Sequence, residues 1–108
     1  EIKELKTMKK ILLACNAGMS TSLLVSNMQK YAKEIGVEVM IEAMPVLQAE
    51  KSWQDWDIIL LGPQVRHVIG KFKETVKEQI PVLVIDMRDY GLMNGKNVLN
   101  TALKALEE

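Results

Sequence analysis

Short apolar runs alternate along this chain with longer segments in which apolar residues recur at helical spacing. The runs cover residues 11–14, 58–61 and 82–85, and none of them alternates with polar residues. Such runs are typical of strands that are covered on both faces, and helical segments between them are typical of crossover connections. The pattern therefore predicts an α/β domain built on a parallel sheet.

The remaining elements are predicted from periodicity and from turn residues. The segment from Ser20 to Ile35 carries its apolar residues on one helical face, and Gly36 is the expected stop. Residues 37–43 alternate strictly between apolar and polar, which predicts a half-exposed strand at a sheet edge. Right-handed crossovers then favour a single open four-stranded sheet in the order 2-1-3-4, with helices on both faces. Further helices are predicted at 47–53, 65–76 and 98–106.

Composition limits the class of protein. With 108 residues, 48% of them hydrophobic and 26% charged, the chain matches one globular domain. Residues 1–7 have no apolar face and are interpreted as an extension or linker, which leaves 8–108 as the domain. Fourteen basic residues balance fourteen acidic ones, so no overall field favours nucleic acid or an anionic membrane. No apolar run approaches the roughly 18–20 residues of a membrane span, and a cytoplasmic monomer is expected.

The single cysteine, Cys15, lies directly after the first predicted strand. One cysteine cannot form an internal disulfide or, alone, a cysteine zinc site, and no metal or cofactor is predicted. In an open parallel sheet, ligands bind beyond the carboxyl ends of the strands near the switch in strand order, here between strands 1 and 3. Cys15 is expected at that point.

The loop after Cys15 consists mostly of small and hydroxyl residues and leads into the first predicted helix. Successive backbone N–H groups, together with the partial positive charge of a helix N-terminus, favour a bound anion. The sequence therefore predicts a phosphate-binding loop whose helix end also favours the thiolate form of the cysteine. The residues assigned to phosphate binding are Asn16, Ala17, Gly18, Met19, Ser20, Thr21 and Ser22.

A thiolate in such a loop is both a nucleophile and a leaving group. It can accept a phosphoryl group from a donor and pass it to an acceptor while the loop amides hold the equatorial oxygens. The structural alternative is that Cys15 is a small buried apolar residue, since free cysteines are among the most buried types. The glycine and serine residues of the loop then serve only as turn and capping residues.

Two kinds of phosphate chemistry fit such a loop. A cysteine phosphatase places an arginine where this chain has Thr21, because bidentate guanidinium contacts stabilise hydrolytic transfer. It also uses a general acid, often an aspartate before a proline, and this chain has no Asp-Pro pair. A loop that holds a phosphoryl group on sulfur without these groups favours a carrier over a hydrolase.

The run from Ile11 through Cys15 to Val25 resembles the phosphorylation loop of the lactose/cellobiose/chitobiose-type enzyme IIB subunits of bacterial sugar phosphotransferase systems. The similarity covers nearly everything from Met8 onward. The resemblance implies that Cys15 takes a phosphoryl group from a phosphohistidine on the IIA component. It further implies that the group passes to a sugar bound by the membrane IIC component. The other similar segments are 42–43, 57–64, 84–86 and 90–91.

The loop sequence fits the cellobiose/chitobiose branch of that family better than the lactose branch, so a cellobiose- or chitobiose-like sugar is expected. Two other functions stay open. One is a cysteine phosphatase or an arsenate-reductase-like protein, for which turnover of an aryl phosphate without partner proteins is the test. The other is a regulatory module that keeps the fold and signals by binding.

A few side chains outside the loop need an interpretation. His67 is interpreted as a surface residue, not a phosphohistidine, since it lies in a helical segment without a phosphate loop. Met19 is either exposed for a docking partner or packed back on the domain. Gln64 follows the third strand and is expected at the rim near Cys15, as a phosphate or partner contact or as part of a plain turn. The residues interpreted as loop, capping or packing side chains are Asp86, Asp89, Trp53 and Trp56.

Overall fold

The computed structural model describes residues 8–16 and 20–107. A four-stranded parallel sheet runs in the order β2-β1-β3-β4, which confirms the predicted class and topology. The strands are β1 (Lys9–Cys15), β2 (Val39–Pro45), β3 (Ile58–Leu61) and β4 (Val82–Val84). The α-helices are α1 (Ser20–Ile35), α2 (Val46–Ser52), α3 (Ile69–Val76), α4 (Met87–Gly91) and α5 (Gly95–Glu107), with 3-10 segments at Trp53–Asp55 and Pro63–Val68.

The central strand β1 divides the core into two layers. Ile11 and Leu13 point to the face that α1 and α5 cover, while Leu12 and Ala14 point to the face of α2 and α3. Because successive side chains of a strand alternate between faces, Cys15 lies on the same face as Ile11 and Leu13. The sulfur therefore belongs to the side of the sheet on which α1 packs.

The end of α1 is confirmed as predicted. Gly36 adopts φ +74°, a left-handed conformation that favours glycine. Its N–H donates to the Lys33 carbonyl at 3.2 Å, and the Val37 N–H donates to the Ala32 carbonyl at 2.9 Å. These two bonds satisfy the last carbonyls of the helix and turn the chain toward β2.

The predicted helix over residues 65–76 is divided in two. A 3-10 segment comes first, and Val65 within it has φ −119° and ψ 22°, so the helix does not run through it. The side chain of Val65 is buried in the second core layer, and its N–H donates to the Gly62 carbonyl at 3.0 Å. A tight turn thus places this side chain under the sheet before α3 begins at Ile69.

No helix within the part of the chain that the structure describes is long and apolar enough to cross a bilayer.

Candidate functional site

The backbone of Cys15 is held in the sheet. It is the last residue of β1 and pairs with Pro45 of β2. On the other edge of the strand, the Gly62 N–H donates to the carbonyl of the preceding residue, Ala14, at 2.9 Å. The side chain is 3% exposed. The position of the sulfur is therefore fixed by strands on both sides.

A hydroxyl group lies against the sulfur. Thr21, in the first turn of α1, donates a hydrogen bond from Oγ1 to Cys15 Sγ at 3.3 Å, and its side chain is only 1% exposed. The thiol itself has a longer contact, 3.9 Å from Sγ to the Met44 carbonyl oxygen. The closer polar contact thus presents a donor to the sulfur, so Cys15 is not enclosed by hydrocarbon alone.

Two further side chains connect this hydroxyl to the surface. The Tyr90 hydroxyl lies 3.5 Å from Thr21 Oγ1, and Gln64 Nε2 donates to the same hydroxyl at 3.2 Å. Gly62 leaves room for the Gln64 amide, because a Cβ on this glycine would lie 2.7 Å from Gln64 Oε1. The exposed rim residue Gln64 is therefore linked to the sulfur through two hydroxyl groups.

The short helix α4 positions Tyr90. Asp86 caps this helix, with its Oδ1 accepting from the Arg88 N–H at 2.9 Å, which confirms its interpretation as a capping carboxylate. The Tyr90 N–H donates to the Asp86 carbonyl at 2.9 Å. Because α4 begins just beyond β4, the tyrosine reaches the same edge of the sheet as Cys15.

The predicted phosphate-binding residues differ in burial and in their contact with the sulfur. Thr21 turns inward to the sulfur, whereas Ser22 and Asn16 are exposed. Ser20 is the first residue of α1. Gln64 lies at the rim as predicted and reaches the site through Tyr90. The predictions for Ala17, Gly18 and Met19 fall outside the described residues.

Tyr90 is the residue of this cluster that sequence reasoning did not assign to the site. The signal in the sequence is a hydroxyl-bearing side chain shortly after the fourth strand, whose carboxyl end meets the same edge of the sheet. Elsewhere the side chains follow the predictions: His67 is exposed, and Trp56 is 8% exposed within the second core layer. No three His, Cys, Asp or Glu side chains of residues 8–16 and 20–107 gather into a metal-binding group.

Comparison with known proteins decides what kind of domain this is. The family model described as "PTS system, Lactose/Cellobiose specific IIB subunit" matches residues 10–101. The chain belongs to this family of IIB subunits. It is thus a phosphocarrier of a sugar phosphotransferase system and a phosphotransferase, and IIB components in general work with IIA and IIC components.

This IIB subunit has nearly the same sequence identity to three curated proteins. It is 44% identical to the oligo-beta-mannoside-specific EIIB component of Bacillus subtilis (strain 168), over 92% of this chain and 97% of that protein. It is 44% identical to the galactose-specific EIIB component of Lactococcus lactis subsp. cremoris (strain MG1363), over 87% of this chain and 93% of that one. The cellobiose-specific EIIB component of Lactococcus lactis subsp. lactis (strain IL1403) is 43% identical over the same shares.

Solved structures show the same fold. The solution structure of a cellobiose-specific IIB component from Borrelia burgdorferi has a TM-score of 0.79 and 39% identity, covering 94% of each chain. A lactose-specific IIB domain from Streptococcus pneumoniae has a TM-score of 0.82 at 19% identity, covering 91% of this chain and 97% of that one. At that identity the likeness concerns the fold alone.

Proposed function

We propose that Cys15 is the residue of this IIB subunit that carries the phosphoryl group. The sulfur attacks the phosphorus of a phosphohistidine on the IIA component, so that a P–S bond forms as the P–N bond breaks. A sugar hydroxyl held by the membrane IIC component then attacks the phosphorus, loses its proton and releases the thiolate. The observation that carries this proposal is the hydroxyl of Thr21, which donates to Cys15 Sγ at 3.3 Å.

The Thr21 contact bears on the chemistry because a thiolate is the reactive form of a cysteine. A hydroxyl donor stabilises negative charge on the sulfur, both when it attacks and when it leaves. Because Cys15 is 3% exposed, the groups that bury its sulfur must move aside when a donor protein binds.

Backbone amides of the loop after Cys15 are proposed to hold the phosphoryl oxygens, with Asn16 to Ser22 as the binding segment. Support comes from α1, which begins at Ser20, so that its partial positive charge lies at the same edge of the sheet as the sulfur. Gln64 is proposed to contact the phosphoryl group or a partner from the rim.

Partner proteins are proposed to dock on the edge of the sheet that carries Cys15. Three large apolar side chains are exposed where elements leave this edge: Leu23 is 54% exposed, Leu47 71% and Met87 63%. Leu23 lies in the first turn of α1, and the other two lie at the starts of α2 and α4. Exposed apolar side chains around one reactive group are typical of a protein-binding surface.

A carrier is favoured over a hydrolase for a chemical reason. The chain has two arginines, Arg66 and Arg88, and neither lies in the loop from Cys15 to Ser22. Arg66 Nη1 donates to the Pro63 carbonyl at 3.2 Å within its own turn. Without a guanidinium on the phosphoryl group, attack by water receives little stabilisation, and the phosphocysteine persists until an acceptor arrives.

The sugar proposed for the complete system is a cellobiose- or chitobiose-like disaccharide, and the subunit is proposed to act as a cytoplasmic monomer without a cofactor. Residues 8–108 are proposed as the IIB domain, with 1–7 as an extension or linker. The curated relatives named for oligo-beta-mannoside, galactose and cellobiose are 44%, 44% and 43% identical. Identity at this level does not choose among sugars, so the choice rests on the loop sequence.

The test is phosphorylation with purified components. The protein is incubated with phosphoenolpyruvate, the general phosphotransferase proteins and a cognate IIA component, and its intact mass is measured. We expect a gain of one phosphoryl group that is lost in Cys15→Ser and kept in the control His67→Ala, which removes the single histidine. An unchanged mass with an active donor would contradict the proposal, and turnover of an aryl phosphate by the protein alone would favour the hydrolase.

A further inference from the structure

We propose that Tyr90 is a positioning residue, which directs the Thr21 hydroxyl onto the Cys15 sulfur and so sets the reactivity of the thiol. The inference rests on the proposed role of Cys15. It starts from three consecutive contacts: 3.2 Å from Gln64 Nε2 to the Tyr90 hydroxyl, 3.5 Å from that hydroxyl to Thr21 Oγ1, and 3.3 Å from Thr21 Oγ1 to Cys15 Sγ.

Counting protons gives this series a direction. The Gln64 amide nitrogen can only donate, so the Tyr90 oxygen accepts from it. Thr21 has one hydroxyl proton, which it donates to the sulfur. In the 3.5 Å contact between the two hydroxyls, Thr21 can therefore only accept, so a hydrogen bond made there has Tyr90 as its donor. In that arrangement every donor of the series points toward Cys15.

The direction matters because hydrogen bonds in series polarise one another. A hydroxyl that accepts a bond becomes a better donor, and the effect is stronger away from water. Thr21 is 1% exposed and Cys15 3%, so the last two members of the series are removed from solvent. Without the Tyr90 hydroxyl, the Thr21 hydroxyl loses this contact and can rotate away from the sulfur.

The series acts differently on the loaded and unloaded sulfur. A thiolate is a strong acceptor for the Thr21 proton, whereas a sulfur esterified to phosphorus has little negative charge to offer. Tyr90 therefore stabilises the unloaded thiolate, which attacks the donor and leaves when the sugar takes the phosphoryl group. The ring of Tyr90 packs against the first core layer, whereas its hydroxyl acts on the state of the sulfur.

Among residues 8–16 and 20–107, several charged side chains of the surrounding elements have other partners, while the hydroxyl series links the rim to the sulfur. The only histidine of the chain, His67, is exposed. The engaged groups are Asp86 with the Arg88 N–H at 2.9 Å, Asp89 with Asn97 at 3.1 Å, Arg66 with the Pro63 carbonyl at 3.2 Å, and Glu50 with Lys71 at 3.6 Å.

The test measures the thiol directly and needs no partner protein. The rate at which iodoacetamide alkylates Cys15 is followed across a pH series in the wild type and in Tyr90→Phe, which removes only the hydroxyl. We expect the rate at neutral pH to fall about three- to tenfold, the range expected for loss of one hydrogen bond between neutral groups. The whole pH profile should move to higher pH, with little change in its plateau. A merely structural role would change the plateau, which reports access to the sulfur.

Matched variants separate positioning from a general effect of removing a tyrosine hydroxyl. Tyr31→Phe is the control, because the Tyr31 hydroxyl accepts from Asn100 of α5 at 3.4 Å, ten residues along α1 from Thr21. In a Thr21→Val background, Tyr90→Phe should have no further effect, since Tyr90 acts through the Thr21 hydroxyl. Thr21→Ser keeps the hydroxyl and should restore most of the wild-type profile. Should Thr21→Val fail to fold, Gln64→Leu at the exposed rim gives a smaller change in the same direction.

The outcomes distinguish the two proposals. Equal pH profiles for Tyr90→Phe and Tyr31→Phe, or an unchanged effect of Tyr90→Phe in the Thr21→Val background, would overturn the inference. If the profile moves as expected but the wild-type protein gains no phosphoryl group from an active IIA donor, the role of Cys15 as a carrier fails while the positioning by Tyr90 stands. If the protein is phosphorylated and the profile does not move, the reverse holds.

Discussion

The helix α1 takes part in two regions that are built in different ways. At its first turn, Thr21 meets the sulfur through the tip of a side chain, 3.3 Å from Sγ. Near its middle, the backbone itself is in contact with α5: a Cβ added to Gly95 would lie 2.5 Å from the backbone carbon of Asn27 and from the backbone nitrogen of Met28. Asn27 also donates to the Met93 carbonyl at 2.9 Å. The first region is held by contacts between side-chain tips, and the second by close backbone contact together with one side-chain hydrogen bond.

The difference separates reactivity from stability along one helix. Side-chain tips can rotate at low cost, so the hydrogen bonds near Cys15 can rearrange in the proposed phosphoryl transfer. A backbone contact such as that at Gly95 cannot adapt, because the interior around it is close-packed. Substitutions should therefore change the free energy of unfolding in one region and the chemistry of the sulfur in the other.

The largest effect is expected from Gly95→Ala. The added methyl group meets backbone atoms that cannot move aside, so the free energy of unfolding should fall by about 1–3 kcal/mol, the usual cost of overpacking. Urea unfolding measures this. The control is Gly70→Ala, whose Cβ would meet nothing within 4 Å and which should be neutral or slightly stabilising. An equal loss of unfolding free energy in the two variants would show that the backbone contact at Gly95 is not what resists the added methyl group.

A smaller effect is expected at the two ends of α1. Leu23, in the first turn, is 54% exposed, and Ile35, the last residue, is 42% exposed at the opposite edge of the sheet. Leu23→Gln should raise the KM for the IIA donor about fivefold, since loss of an apolar interface contact costs roughly 1 kcal/mol. Ile35→Gln should leave this KM unchanged. Steady-state phosphorylation kinetics measure both, and a similar rise for Ile35→Gln would argue against docking at the edge near Cys15.

The smallest effect is expected from Gly62→Ala. Its Cβ would lie 2.7 Å from Gln64 Oε1, but that atom is the end of a flexible side chain and can swing away. We expect the free energy of unfolding to change by less than about 0.5 kcal/mol, the usual range where no backbone or core atom is displaced, because the nearby atoms all belong to the Gln64 side chain. Alkylation of Cys15 at neutral pH should slow about twofold, as one bond is lost at the far end of the series. The same substitution in Tyr90→Phe should have no effect on alkylation, and an equal slowing there would show that Gln64 acts by another route.

Much of the fold could be predicted from local patterns. The apolar runs of β1 and β3 and the helical period between Ser20 and Gly36 depend on neighbouring residues, so periodicity alone places them. Ala43 marks a limit of this reasoning. The alternation of β2 placed it with the buried residues, yet it is exposed, because alternation does not say how far a helix layer extends over an edge strand.

The site could be predicted only in part. Cys15 follows from its place after the first strand, and Thr21 from its place in the loop. The roles within that set could not be predicted, because Thr21 and Ser22 are adjacent hydroxyl residues and only the orientation of α1 decides which one turns inward. Tyr90 is 69 residues from Thr21 in sequence, and α4, which carries it, is too short to give a periodic pattern.

The position of Cys15 at the end of β1 limits how a phosphoryl group can be transferred. The backbone of Cys15 is held between neighbouring strands, and its side chain is 3% exposed. The sulfur therefore cannot move between two distant protein sites, as a group on a long, flexible arm can. If Cys15 carries the phosphoryl group as proposed, the donor and the acceptor must bind at this one site in turn. Transfer of this kind has ping-pong kinetics, in which an excess of one partner protein lowers the rate of transfer by excluding the other from the site.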